Sequence, residues 1–161
     1  MNFKKKLLIL SSTAIIFIAQ NLLAGSDYQG LINNKITIQH VINLVQKAGY
    51  SYISSIAFDD GYWQVKTLKN KIETKYILNS KTSKFTKLGQ DHENDKQPPE
   101  NINVIQRSIK TVKNKYPKYK IKSISHESSS WNVNAFDETG MEYEMLVNGE
   151  GSKILFSKID D

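Results

Sequence analysis

Apolar residues at Ile38, Val41, Ile42 and Val45 fall on one side of a 3.6-residue period, with polar residues between them. Thr37 stands before the stripe as a candidate cap, and Gly49 after it can supply a left-handed terminal residue. A second stripe runs through Ile105, Ile109, Val112 and Tyr116, with Asn103 as its candidate cap and Gln106 three positions on. Pro117 biases Tyr116 away from helical geometry, so this helix is expected to end near Lys115. Both predicted helices are about three turns long, too short to persist in water unless something covers their apolar side.

The period changes to two in the stretches that follow each helix. Ser51–Phe58, Tyr62–Leu68 and Lys71–Asn79 read as strands, and so do Lys120–His126, Trp131–Phe136 and Met141–Asn148. Asp59-Asp60-Gly61, Lys69-Asn70 and Ser128-Ser129-Ser130 supply hairpin signals between them. Lys84–Leu88 and Lys153–Lys158 are short enough to be optional edge strands. Strand parity places Trp63, Val65 and Thr67 on one face, with Trp131, Val133 and Ala135 in the same role. These richer apolar faces are expected to meet the helices. Leu68, Ile77, Phe136 and Leu146 fall on the opposite face and are the candidate partner-binding residues.

The two stretches are also copies of one pattern. Ile56, Trp63 and Val65 recur as Ile124, Trp131 and Val133, 68 positions downstream. Beyond a one-residue insertion the offset is 69, so Glu73 matches Glu142, Ile77 matches Leu146 and Asn79 matches Asn148. The predicted class is therefore α+β: a tandem repeat of an α-β-β-β unit, each a helix on an antiparallel meander. The expected organisation is a first module at 36–89, an acidic linker at 90–101 that contains no apolar residue, and a second module at 102–160.

Residues 1–24 change the picture of location. Lys4-Lys5-Lys6, an apolar run from Leu7 interrupted by Ser11-Ser12-Thr13, and Ala24 before a polar stretch have the layout of a cleavable secretory signal. Removing it leaves 137 residues with no cysteine, which suits a periplasmic or secreted bacterial protein, with no stable membrane anchor after cleavage. From Gly25 onward 19 basic residues oppose 16 acidic ones, a net +3. The lysines are scattered among acids without an arginine cluster, which argues against nucleic acid as a partner.

Catalytic chemistry is poorly supplied. Without cysteine, thiol catalysis and thiolate metal sites are excluded. His40, His92 and His126 fall in a helix, the linker and a strand, with none of the spacings that gather metal ligands. Ser128-Ser129-Ser130 lacks the Gly-x-Ser-x-Gly elbow and reads as a turn. Asp59-Asp60-Gly61 lacks the alternating oxygen ligands of a calcium loop. Glu142 and Glu144 share a strand face and read as solvated charge. No cofactor is indicated, and the chain is expected not to be an enzyme.

The order of Gly49-Tyr50, Ile56-Ala57-Phe58-Asp59-Asp60-Gly61, Trp63-Gln64-Val65 and Tyr76-Ile77-Leu78-Asn79 after an amphipathic helix resembles the PepSY superfamily. Ile124, Trp131-Asn132-Val133 and Leu146-Val147-Asn148-Gly149 carry the same skeleton, but Ser128-Ser129-Ser130 replaces the acidic turn. The tandem arrangement is similar to that of beta-lactamase inhibitor proteins, whose paired units present one concave sheet. The resemblance implies a small exported binding module without catalytic residues, with a secreted or periplasmic protease as a possible protein partner to inhibit or regulate. The alternative reading is a ligand-sensing or structural envelope module with no enzyme partner.

Overall fold

The computed structural model describes residues 27–79, 82–92 and 101–160. The signal segment expected at 1–24, and the centre of the expected linker at 93–100, lie outside them. The fold is α+β, and among the described residues its sheet has eight strands, every neighbouring pair antiparallel.

After a short helical stretch at 27–32 comes α1 (Ile38–Lys47). Thr37 caps it, its side chain accepting from the His40 N–H at 3.3 Å, and Gly49 takes φ +83° beyond the last turn. Four strands follow: β1 (Ile53–Asp59), β2 (Tyr62–Lys69), β3 (Ile72–Asn79) and β4 (Lys84–His92). Then comes α2 (Ile102–Lys115), followed by β5 (Lys120–Glu127), β6 (Ser130–Phe136), β7 (Glu142–Asn148) and β8 (Ile154–Ile159). Each helix is thus succeeded by four strands, where three with an optional fourth were expected. The fourth strands pair along their length with the third, so both edges of the sheet belong to them.

Turn chemistry explains the hairpins. Asp60 and Gly61 take φ of +47° and +82° between paired Asp59 and Tyr62, which makes a two-residue turn of the primed type. Asn70 and Lys71 do the same at +53° and +63°, one position later than the expected Lys69-Asn70. The primed turn matches the right-handed strand twist, so these residues carry the positive φ that it demands.

The strand order β4-β3-β2-β1-β5-β6-β7-β8 joins the two halves through β1 and β5. Ser55 pairs with Ser125, Ile56 with Ile124 and Ala57 with Ser123. The buried apolar residues of both halves form one cluster: Val41, Ile42, Ile56, Trp63 and Val65 with Ile105, Val112, Ile124, Trp131 and Val133. Trp63 and Trp131 are buried, their indole N–H groups donating to Ile36 O at 3.1 Å and Gly149 O at 3.3 Å.

The expected linker is shorter than 90–101. Gln90, Asp91 and His92 belong to β4, opposite Thr74, Glu73 and Ile72. Asn101 is buried, and its side-chain amide donates to Ile53 O at 2.7 Å and accepts from Ile53 N–H at 2.9 Å. Polar composition does not exclude burial when a side-chain amide imitates a strand neighbour. Asn103, the expected cap, lies inside α2. Asn101 takes the cap position, but its side chain is spent on β1 and makes no cap bond.

Candidate functional site

On the face opposite Trp63 and Trp131, alternation brings two rows of side chains across the sheet. One runs Lys75, Lys66, Ser55, Ser125, Asn132, Leu146, Phe156. The other runs Thr86, Ile77, Gln64, Ala57, Ser123, Asn134, Glu144, Lys158. All of these residues are half-buried or exposed. The centre of the face, on β1 and β5, carries only small side chains at Ser55, Ala57, Ser123 and Ser125, while the flanking strands carry long ones. A strip of small side chains thus runs along the joint between strands that carry longer ones.

Three of the four candidate residues keep some exposed surface. Leu68, Ile77 and Leu146 are half-buried, with Ile77 beside Gln64 and Thr86 and Leu146 beside Asn132 and Phe156. Phe136 does not: it is fully buried. The Tyr28 ring packs edge-on against it, with centroids 5.5 Å apart, and Lys122 Nζ lies 5.3 Å from its centroid. Parity predicted its side of the strand. What covers it comes from a segment more than 100 positions earlier, which no local pattern reveals. Phe156, 53% exposed beside Leu146, was missed because β8 read only as an optional edge.

Charges on both sides of the joint are largely paired. Lys66 and Lys75 stand on β2 and β3, with Glu73 3.7 Å from Lys66. Glu142 and Glu144 stand on β7 and are both engaged. Glu142 meets Lys122 at 3.1 Å and accepts from Asn134, while Glu144 meets Lys158 at 2.8 Å and accepts from Asn132 at 2.8 Å. The hydrogen bond from Lys158, then that from Asn132, holds the Glu144 carboxyl below its ordinary range. Lys122 also pairs with Asp27 at 3.3 Å. Burial alone would lower its pKa, but the bonds and charges of Glu142 and then Asp27 outweigh this and raise it. Asn132 keeps one unmet need: its Oδ1 is buried with no hydrogen-bond partner.

The remaining candidate chemistry disperses. His40, His92 and His126 are exposed on α1, β4 and β5. His126 packs on Trp131 with ring centroids 4.8 Å apart, the relation that Phe58 has to Trp63 at 5.2 Å. It occupies a packing position of the repeat. Ser128 and Ser129 form the β5–β6 turn, with Ser128 at φ +52°. Asp27, Asp59 and Asp60 bring carboxylate oxygens within 4.8 Å of one another. Asp27 there accepts from the Asp60 N–H and pairs with Lys122, which accounts for its position by internal contacts.

No family model matches the chain, and no curated protein matches it. Among solved structures it is similar to a protein provisionally described as a lipoprotein, from Clostridium difficile 630. That likeness has 12% identity over 80% of this chain and 95% of the other, with a TM-score of 0.46. It is also similar to a DUF2874 family protein from Bacteroides uniformis ATCC 8492, at 15% identity over 73% of this chain and 86% of the other, with a TM-score of 0.28. Likeness of this size assigns neither a family nor an activity to this chain.

Proposed function

We propose that this chain is an exported, non-catalytic binding module of PepSY type, a duplicated helix-and-meander unit that captures a protein through the face of its sheet opposite α1 and α2. The observation that carries the reading is the set of partly exposed apolar residues on that face, Ile77 on one side of the joint and Leu146 and Phe156 on the other. Partly exposed apolar residues among polar ones are the composition of a recognition surface. Joining two units doubles the width of the surface without new chemistry. The partner that the PepSY resemblance implies is an exported or periplasmic protease, held or inhibited by this surface.

The test places a photo-crosslinking side chain at Phe156 or at Thr86, and at His40 on α1 as the control. A discrete protein adduct from the sheet positions alone, lost on Ile77→Asp or Leu146→Asp with the thermal midpoint retained, supports the reading. Inhibition of a purified exported metalloprotease by the wild type but not by those variants supports the protease assignment. Adducts from His40 alone would overturn the choice of face. Hydrolytic or transferase activity of the purified chain, lost on mutating one His or Glu, would overturn the non-catalytic reading.

A further inference from the structure

On the helix side of the sheet, the segment 31–39, α2 and the start of β5 enclose a cleft of about 300 Å³. Leu31, Ile36, Ile109, Ile121 and the Trp63 indole give it apolar walls. Asn34, Thr37, Gln39 and Tyr119 add neutral polar groups, and its charged groups are cations: Lys113 and Lys120 line it, and no Asp or Glu among the described residues does. Among the described residues no carboxylate pairs with either lysine. Lys113 Nζ donates to Pro117 O at 2.6 Å and Tyr119 O at 2.8 Å, which leaves one of its three protons uncommitted. Burial, and next the charge of Lys120, push its pKa down, as expected of a cation held without a counter-ion.

A third donor lies in the same lining. Asn34 Oδ1 accepts from the Ile36 N–H at 2.9 Å, which fixes the orientation of the amide. Its Nδ2 is then buried, with no hydrogen-bond partner among the described residues. A buried amide donor, the half-buried Lys113 and Lys120 at the exposed rim, set around apolar walls, complement an acceptor that carries negative charge and is attached to hydrocarbon. The volume is at the lower end of small-ligand sites, about 300–1,000 Å³, which suits one chain and not a two-chain lipid.

We propose that this cleft binds a free, single-chain anionic amphiphile, with its head group at Lys113, Lys120 and Asn34 and its hydrocarbon between Ile109, Ile121 and Trp63. The site lies on the opposite side of the sheet from the protein-binding face and does not depend on it.

Decanoate, at concentrations where it is monomeric, is the probe, titrated by calorimetry into the chain beginning at Gly25. The Trp63 indole N–H, which donates to Ile36 O, gives a local reporter by NMR, and the Trp131 indole N–H, bonded to Gly149 O, is the internal control. The expected result is saturable binding of one decanoate, with a shift at Trp63 and none at Trp131. Lys113→Met, Lys120→Met and Asn34→Leu should each weaken binding, the lysine changes about tenfold or more. Decanol should bind correspondingly more weakly than decanoate. Ile109→Trp, which fills the cleft, should abolish binding with the thermal midpoint maintained. Equal affinity for decanol and decanoate would overturn the proposal. So would undiminished binding by the double lysine variant, a shift at Trp131, or binding to phosphatidylglycerol vesicles without any binding of monomeric decanoate.

Discussion

Ile56 and Ile124, 68 positions apart and equivalent in the sequence repeat, are direct cross-strand partners where β1 meets β5. On either side Ser55 faces Ser125 and Ala57 faces Ser123, so each position of one strand faces the repeat counterpart of its mirror position. The arrangement is a local two-fold axis written into one chain. Both isoleucines have no exposed surface. Each Ile→Ala change should cost about 2–5 kcal/mol. Because they are neighbours across the joint, the double variant should depart from additivity by about 0.5 kcal/mol or more. A denaturant double-mutant cycle measures this, and strict additivity would refute the shared joint.

Gly151 should not tolerate a side chain. It takes φ +72° where the β7–β8 turn docks on α2, with Thr111 Oγ1 donating to its carbonyl at 2.7 Å. An added Cβ would sit 2.6 Å from both Ser108 Oγ and Val104 O. Gly151→Ala is expected to cost about 2 kcal/mol or more. Gly61→Ala is the comparison: φ is +82°, but the new Cβ meets no atom within 4 Å. It should cost about 1 kcal/mol from backbone strain alone. Similar losses in the two variants, read by urea unfolding, would show that the α2 contact is not rigid.

Asn101 should behave as a structural residue despite its polar surroundings in sequence. Asn101→Ala strips both bonds from the Ile53 backbone and leaves a buried N–H and C=O unsatisfied. The expected loss is about 2–4 kcal/mol. Replacing Gln90 through Asn101 with Gly and Ser should destabilise the fold, and restoring Asn101 and the β4 residues Gln90–His92 in that variant should recover most of the loss. Unchanged unfolding midpoints in the fully replaced chain would contradict this.

Acid should weaken the β7–β8 edge through Glu144. Its folded pKa is lowered from an ordinary 4.5, first by the hydrogen bond from Lys158 and then by that from Asn132. A depressed carboxyl contributes stability that is present above the unfolded value and is lost as pH falls through the folded one. The difference in stability between wild type and Glu144→Gln should therefore be largest above pH 4.5 and shrink below it. A difference that stays constant across that window would exclude the ionic contribution.

Local physics reaches most elements directly from the sequence. The helix stripes, the Thr37 cap, the Asp60-Gly61 turn and the burial of Trp63 and Trp131 follow from spacing, turn stereochemistry and strand parity, all interactions between residues near in sequence. The 68-residue spacing from Ile56, Trp63 and Val65 to Ile124, Trp131 and Val133 is likewise read from the sequence alone. What covers each element is decided at long range. Whether β1 pairs with β5 is a contest between edge strands, and the repeat is silent on it. Phe136 alternates correctly and is nevertheless hidden, because Tyr28 packs on it from over 100 positions away. Asn101 reads as linker and is buried, because the Ile53 backbone offers it a matching donor and acceptor. Lys113 gives no local sign of its place in the helix-side cleft, where the fold sets it half-buried beside apolar walls. Sequence patterning specifies which face of an element avoids water; the tertiary structure chooses the neighbour that excludes it, since burial depends on contacts between residues distant along the chain.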